Sequence, residues 1–220
     1  MRKNSRNRLA ARGHLFIVSA PSGAGKTTLC HKLSSILPNL RHSVSYTTRP
    51  RRTGEVNNRD YTFVTEDVFR RMIKRGEFVE WAKVHCNLYG TSRKRLEEMR
   101  NKGINVILDI DTQGARQIRK KSREGVYIFI LPPSMKVLRE RLQKRMCNSK
   151  EDMERRLRRA VDEIKDYKKY DYVIINNIFE DALEELKAII LLEKLCIKGI
   201  EPLWIKKNFL RLGGVIEAKG

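Results

Sequence analysis

Apolar runs alternate along the chain with segments whose apolar residues recur every three or four positions. The first run predicts a strand over 14–19. A helix is predicted over 26–37, because four apolar residues fall on one stripe: Leu29, Leu33, Ile36 and Leu37. Pro38-Asn39 ends this helix. Alternation of strand and helix predicts a parallel sheet with crossover helices.

The region after residue 41 departs from this alternation. Its short apolar stretches predict small strands over 42–46, 61–64 and 78–84, a turn at Tyr89-Gly90 and a helix over 67–74. We interpret residues 42–92 as a mixed subdomain that is inserted into the main sheet.

The main sheet is predicted to resume after this subdomain. Its further elements are strands over 104–110, 126–131 and 172–175, a charged helical stretch over 135–168 that breaks near 147–149, and a helix over 181–195. Ser134 is placed to cap the helix that follows Pro132-Pro133. A chain of 220 residues fits one domain with inserted segments.

The turn between the first strand and the first helix is rich in small residues. It contains the segment Ala20-Pro21-Ser22-Gly23-Ala24-Gly25-Lys26-Thr27. Gly23 and Gly25 let backbone N–H groups point inward, where they can bind the phosphates of a nucleoside triphosphate at a helix N-terminus. Lys26 supplies charge for the β- and γ-phosphates, and the Thr27 hydroxyl can bind Mg²⁺. The alternative is a plain glycine-rich turn, and Ala20 stands where the usual pattern has glycine.

The charge of the chain is strongly positive. Its 47 basic and 26 acidic residues give a net charge of +21, which favours polyanionic partners such as nucleotides or nucleic acid. The basic residues concentrate in 1–12, 49–59 and 136–169. We expect most of them to be solvated surface.

Composition and targeting signals bound the compartment. No apolar run is long enough to cross a bilayer, and we interpret residues 1–12 as a disordered basic arm without an apolar signal core. The four cysteines lack metal-type or redox-type spacing: Cys30, Cys86, Cys147 and Cys196. We therefore expect a reduced, cytoplasmic environment.

Several further segments accompany the glycine-rich turn in a characteristic order. They are 43–55 (SVSYTTRPRRTGE), Asp60-Tyr61, 77–81 (EFVEW), 89–92 (YGTS), 108–115 (LDIDTQGA), 130–134 (ILPPS) and 173–177 (VIINN). With these segments the chain resembles the bacterial-type guanylate kinases over about 13–197. The resemblance implies a phosphate-loop parallel-sheet core flanked by helices, an inserted mixed α/β subdomain that binds GMP, and a helical lid.

The resemblance also implies boundaries and a reaction. The core would comprise 13–41, 93–135 and 170–197, the GMP-binding subdomain 42–92, the lid about 136–169 and the tail 198–220. The reaction would transfer the γ-phosphoryl group of ATP to GMP, and also to dGMP, with Mg²⁺, in purine nucleotide metabolism and GMP recycling. The acceptor is an ionised phosphate, so no general base is required.

By resemblance, the acceptor site lies in the inserted subdomain. Arg49 and Arg52 would bind the GMP phosphate in two-pronged fashion, and Tyr61 and Tyr89 would donate hydroxyl hydrogen bonds to it. Glu80 would recognise guanine by accepting from N1–H and the exocyclic amine, a donor pair that adenine lacks.

Four further residues are assigned to GMP by resemblance. Ser45 and Thr91 would contact the O6 edge, while Glu55 and Asp111 border the nucleotide. For a lone arginine or glutamate, the alternative is solvated surface.

The remaining assignments concern ATP, magnesium and the lid. The ATP-binding residues are predicted to be Ala20, Pro21, Ser22, Gly23, Ala24, Gly25, Lys26, Thr27, Thr28, Arg141, Arg145 and Asn176. Of these, Asn176 would lie at the adenine edge. The alternative is that Asn176 only stabilises the turn after the last strand. Asp109 would hold Mg²⁺ through water together with Thr27, the alternative being a helix cap. The catalytic set is Lys26, Arg49, Arg145 and Arg156, in which the lid arginines close over the phosphates and exclude water.

Three other functions stay open at this point. A guanylate-kinase-like module could bind phosphopeptides without catalysis, the basic surface could bind nucleic acid, and the acceptor could be another nucleotide. Retention of Gly23, Gly25, Lys26 and Thr27 favours the kinase over the binding module. The number of subunits is not predicted.

Overall fold

The computed structural model describes residues 12–84, 86–122, 124–144, 150–193, 195–196 and 206–210. The strands are β1 (Leu15–Ser19), β2 (Leu40–His42), β3 (Tyr46–Thr47), β4 (Thr62–Phe63), β5 (Phe78–Val84), β6 (Asn87–Ser92), β7 (Asn105–Asp109), β8 (Val126–Leu131) and β9 (Tyr172–Ile175). The helices are α1 (Lys26–Ile36), α2 (Glu66–Lys74), α3 (Arg93–Asn101), α4 (Thr112–Lys121), α5 (Met135–Lys144), α6 (Lys150–Ile164) and α7 (Phe179–Glu193). A 3₁₀ turn (Lys165–Lys169) follows α6, and Lys206–Leu210 forms a π-helical turn.

The main sheet has five parallel strands in the order β2-β7-β1-β8-β9. Its centre is β1, in which all five residues are buried, as expected for a strand with helices on both faces. Phe16 and Val18 pack with α1 and α7, whereas Leu15 and Ile17 pack with α3 and α4. The carboxyl ends of β1 and β7 lie side by side, since Val18 is paired with Asp109. This architecture confirms the predicted phosphate-loop type of fold.

A second sheet of four short strands follows the order β4-β3-β6-β5. Its own core is small, with Phe69, Phe78 and Leu88 as buried members. Strand β5 forms one edge, and its pairing with β6 shifts register between Phe78 and Glu80. The inserted segment is therefore held mainly by backbone pairing and one aromatic cluster.

The predicted strands over 78–84, 126–131 and 172–175 are confirmed residue for residue. The predicted strand over 42–46 is wrong, because His42 ends β2 in the main sheet whereas Tyr46 begins β3 in the second. The predicted turn at Tyr89-Gly90 is also wrong, since both residues lie inside β6. Among the described residues, Cys86 instead lies in a turn, with a φ of 67°.

The first helix begins at Lys26 as predicted and ends at Ile36, one residue before the predicted end, and Ile36 itself is 43% exposed. Helices α3 and α4 were not predicted, since each is short and has few apolar residues. The charged stretch over 135–168 separates into α5, α6 and a 3₁₀ turn, and the predicted break at 147–149 lies outside the described residues. The last helix begins at Phe179, two residues before the predicted start, and ends at Glu193.

The predicted cap of α5 is confirmed, because the Ser134 hydroxyl accepts a hydrogen bond from the Val137 N–H at 3.2 Å. Of the predicted basic arm only Arg12 is described, and of the predicted tail only Lys206–Leu210. Within the described part of the chain, no helix combines the length and the apolar character that a membrane span requires.

Candidate active site

The glycine-rich loop has the backbone that its sequence predicts. Gly23 and Gly25 adopt φ angles of 94° and 91°, a region that side chains disfavour. A Cβ atom on Gly25 would lie 2.4 Å from Nδ2 of Asn176. That Nδ2 donates to the Ala24 carbonyl at 2.7 Å. The loop is therefore fixed by its own glycines and by a side chain from the end of β9.

Lys26 opens α1 at the bottom of this loop. Its Nζ pairs with the Asp109 carboxylate and donates to the Ile110 carbonyl at 3.0 Å. Burial disfavours the charged form of Asp109, but the Lys26 ammonium and a Thr27 hydrogen bond outweigh it and lower the pKa of this carboxyl. The pKa of Lys26 is raised, since Asp109 likewise outweighs burial. Both groups are charged, and together they form a fixed ion pair beside the loop.

Glu80 lies at the opposite end of the cleft, on β5. Its side chain is buried, with 3% of the residue exposed, and Oε1 accepts a hydrogen bond from the Thr91 hydroxyl at 2.6 Å. Burial raises the pKa of Glu80 to about 7, although the Thr91 hydrogen bond acts in the opposite direction. A buried carboxyl with free acceptor capacity suits recognition of a base that offers two donors.

Arg49 lies near Tyr61, which precedes β4, and Tyr89, which lies in β6. Its guanidinium carbon is 5.4 Å from the ring centroid of Tyr61, and the rings of Tyr61 and Tyr89 meet edge to face at 6.0 Å. Nη2 of Arg49 donates to Glu55 at 2.6 Å, and the same carboxylate accepts from the Arg52 backbone N–H at 2.8 Å. Glu55 therefore orders the loop that carries both arginines.

Helix α6 contributes side chains on a third side of the cleft. Arg156 and Arg159 each form an ion pair within the helix, Arg156 with Asp152 at 2.9 Å and Arg159 with Glu163 at 3.1 Å. Arg159 also approaches Asp111, with Nη2 3.9 Å from Oδ2. This helix places two cations at the cavity.

The glycine-rich loop, Glu80, the two tyrosines and the two arginines of α6 line one cavity of about 300 Å³. Fifteen of the predicted site residues line it: Ala20, Pro21, Ser22, Gly23, Ala24, Gly25, Lys26, Thr27, Ser45, Tyr61, Glu80, Tyr89, Asp109, Asp111 and Arg156. The cavity therefore joins the glycine-rich loop to the predicted guanine pocket.

Other predicted residues do not line the cavity. They are Thr28, Arg49, Arg52, Glu55, Thr91, Arg141 and Asn176. Thr91 binds the lining residue Glu80. Arg141 donates to the Asn176 carbonyl at 2.9 Å, so α5 is joined to the residue that supports the glycine-rich loop. Arg145 lies outside the described residues.

The cavity also has lining residues that the sequence analysis did not select: Ala82, Val84, Ile110, Arg159 and Glu163. The spacing of Arg156, Arg159 and Glu163 on one stripe of α6 was the available signal. Asp111 caps α4, accepting from the Gly114 N–H at 2.8 Å, so the helix-capping role considered for Asp109 belongs to Asp111.

Thr27 and Asp109 fit a magnesium site. Both line the cavity beside the phosphate loop, and hydroxyl and carboxylate oxygens are the ligands that Mg²⁺ takes, usually with several waters retained. Among the described residues, no group of three or more His, Cys, Asp or Glu side chains is arranged to hold a metal alone. Most of the coordination would therefore come from water and phosphate oxygens.

Comparison with known proteins identifies the family of this chain. The sequence model of guanylate kinase matches residues 12–193. The guanylate kinase of Geobacter metallireducens is 55% identical over 182 residues, which are 83% of this chain and 90% of that protein. That of Geobacter sulfurreducens is 56% identical over 182 residues, with the same coverage.

A solved structure agrees with these sequences. The crystal structure of guanylate kinase from Anaplasma phagocytophilum superposes with a TM-score of 0.74 at 35% identity, covering 92% of this chain and 98% of that one. Family model, relatives and fold coincide over the residues that form the cleft, and the chain belongs to the guanylate kinase family.

Proposed function

We propose that ATP binds at the end of the cleft formed by the glycine-rich loop, and that GMP binds at the end formed by the second sheet. The chain is an ATP:GMP phosphotransferase, because phosphoryl transfer from ATP to GMP is the reaction of its family. The observation that carries the assignment is the single cavity lined at one end by residues 20–27 and at the other by Glu80, Ser45 and the two tyrosines.

The acceptor base is recognised by hydrogen-bond complementarity. In its ionised form Glu80 accepts from N1–H and the exocyclic amine of guanine, while Ser45 lies at the cavity for the O6 edge. AMP presents an unprotonated N1 to the same carboxylate, so its binding would leave a buried charge unpaired. From the resemblance to the guanylate kinases we infer that dGMP serves as a second acceptor.

The acceptor phosphate is bound by Arg49 and Arg52 with the hydroxyls of Tyr61 and Tyr89. Arg49 already lies against Tyr61, and release from Glu55 lets its planar guanidinium turn towards phosphate oxygens. An ionised phosphate is itself the nucleophile, so the site needs charge and alignment rather than a general base.

The donor phosphates lie along the N–H groups of residues 23–27, with Lys26 at the β- and γ-phosphates. Thr27 and Asp109 would hold Mg²⁺, which when bound neutralises phosphate charge. Arg156 and Arg159 face the cavity from α6 and add positive charge to the group being transferred. Closure of α5 and α6 excludes water that would otherwise hydrolyse ATP.

A coupled assay tests these assignments. Purified protein with ATP, Mg²⁺ and GMP should form GDP, dGMP should replace GMP, and AMP, UMP and CMP should give little product. Removal of Mg²⁺ with EDTA should abolish turnover and its restoration should recover it. GDP formation without added metal, or equal use of AMP, would contradict the assignments of Thr27 and Asp109 or of Glu80, respectively.

A further inference from the structure

Helix α4 lies against the edge strand β5, on the segment that carries Glu80. Three of its residues, Gly114, Gln117 and Lys121, recur at the spacing of one helix stripe. Gln117 exchanges two hydrogen bonds with the main chain of Trp81: its Oε1 accepts from the N–H at 3.2 Å, and its Nε2 donates to the carbonyl at 2.6 Å. Lys121 Nζ donates to the Val79 carbonyl at 2.9 Å.

These bonds fix the residues on both sides of Glu80. Because β5 is an edge strand, its outer N–H and C=O groups have no neighbouring strand to pair with. The side chains of Gln117 and Lys121 take the place of that strand. They do so beside the register shift between Phe78 and Glu80, where the ladder with β6 is least regular.

Gly114 completes the contact from the first turn of α4. A Cβ atom at this position would lie 2.5 Å from Oε2 and 3.1 Å from Cδ of Glu80. The carboxylate is thus confined between the backbone of α4 on one side and the Thr91 hydroxyl, which binds Oε1, on the other. Glycine is unfavourable inside a helix, so a helical glycine with ordinary φ whose missing side chain leaves room for this carboxylate points to a role in placing it.

We propose that Gly114, Gln117 and Lys121 are positioning residues that hold the Glu80 carboxylate in the orientation that guanine requires. Helix α4 thereby sets base discrimination, and it connects the acceptor sheet to the core in which Ala115 and Ile118 are buried. The proposal rests on the proposed contact of Glu80 with guanine. It gives α4 a role in base specificity that acts through Glu80 and not through a substrate contact made by α4 itself.

The test measures kcat and KM for GMP and for IMP, which keeps N1–H but lacks the exocyclic amine. For Gly114→Ala we expect KM for GMP to rise about tenfold, the preference for GMP over IMP to shrink by a similar factor, and KM for ATP to stay unchanged. Alanine favours the helix, so a thermal melt should show a folded protein. Gln117→Leu, which removes both bonds to Trp81 at similar size, should act in the same direction.

Matched controls and a double-mutant cycle separate positioning from a structural effect. Lys121→Met should raise KM for GMP, whereas Lys120→Met, on the neighbouring exposed residue, should not. In a Glu80→Gln background, Gly114→Ala should have little further effect on the preference for GMP over IMP, because its action passes through the carboxylate.

The outcomes also distinguish the proposed role of α4 from the proposed contact of Glu80 with guanine, on which it rests. If Glu80→Gln leaves the use of GMP and IMP unchanged, the role of Glu80 itself is wrong. If Glu80→Gln alters that preference but Gly114→Ala and Gln117→Leu do not, or if their effects add fully to that of Glu80→Gln, the role of α4 is wrong.

Discussion

At the donor end of the cleft, eight consecutive residues, 20–27, line the cavity, whereas the lining at the acceptor end is spread between Ser45 and Tyr89. The donor loop lies on a strand that is buried throughout and on a core cluster that includes Leu29 and Leu33. The acceptor sheet has two strands of two residues and three buried core side chains. The donor end is rigid and is formed by one continuous segment. The acceptor end has a small core and is assembled from segments that are far apart in the sequence.

The charged groups differ in the same way. Lys26 is held at the cavity by Asp109, so the donor cation is in position before any nucleotide binds. Arg49 and Arg52 belong to a loop ordered by Glu55 and do not line the cavity. Because the core of the acceptor sheet is small, movement of this sheet and its arginine loop towards the GMP phosphate costs less free energy than movement of the donor loop. The comparison suggests a preformed donor site and an acceptor site that closes around GMP.

The largest effect is expected at the preformed end. Lys26→Ala removes the cation from the transferring phosphoryl group and leaves Asp109 buried without its partner, so kcat should fall at least about a thousandfold. Lys32→Ala, on an exposed residue of the same helix, is the matched control and should retain activity. A Lys26→Ala protein with kcat within tenfold of the parent would contradict the assignment.

At the acceptor end, Arg49→Lys keeps the charge but loses the planar two-pronged geometry. We expect kcat/KM for GMP to fall about a hundredfold while KM for ATP changes little, which steady-state kinetics would show. Arg51→Lys provides the control between the two assigned arginines. An equal rise in KM for ATP and for GMP would mean that Arg49 acts at both ends and that the division of the cleft is wrong.

The buried carboxyl of Glu80 makes GMP binding depend on pH. Its pKa of about 7 in the free protein means that the accepting form is lost as pH falls, so GMP should bind about tenfold more weakly at pH 6 than at pH 8. Calorimetric titration measures this, and Glu80→Gln corrects for ionisation of the GMP phosphate itself. The same pH dependence in Glu80→Gln as in the parent would refute a role for this carboxyl.

Stability provides a second readout of the same group. A carboxyl whose folded pKa is raised contributes stability that is fully present below its unfolded pKa of 4.5 and is lost as pH rises through about 7. Relative to Glu80→Gln, the parent should therefore lose about 3 kcal/mol of unfolding free energy between these values. Urea unfolding of both proteins at pH 5 and pH 8 checks it, with a constant difference as the contrary result.

The smallest effect is expected at Asn176, which supports the donor loop. Asn176→Ala removes the bond to the Ala24 carbonyl, so KM for ATP should rise about fivefold. Because that contact is with the loop and not with the base, KM for GTP used as an alternative donor should rise by the same factor. Loss confined to ATP would instead support contact between Asn176 and the adenine edge, as its position after β9 predicts.

The glycine-rich loop and the strand before it could be predicted from the sequence because their determinants are local. Two glycines, a lysine and a threonine within eight residues fix the loop, and the apolar runs define β1 and β8. The acceptor end could be predicted only by resemblance. Nothing local in the sequence shows that Glu80 would be buried or that Thr91 would bind it.

What the sequence did not indicate was the contact between elements. Helices α3 and α4 are short and have few apolar residues, so their apolar stripes are weak signals. The role of Gly114 depends on the approach of β5, which is set by tertiary packing. Arg159 was obscured by its basic neighbours, and only the structure places it at the cavity.

A crystal structure with GMP and a non-hydrolysable ATP analogue tests the central claim most directly. The account predicts guanine N1 and the exocyclic amine within hydrogen-bond distance of the Glu80 carboxylate, Arg49 turned from Glu55 to the GMP phosphate, and the backbone of residues 20–27 unchanged. A rearranged donor loop, or a GMP phosphate bound without Arg49 and Arg52, would contradict it.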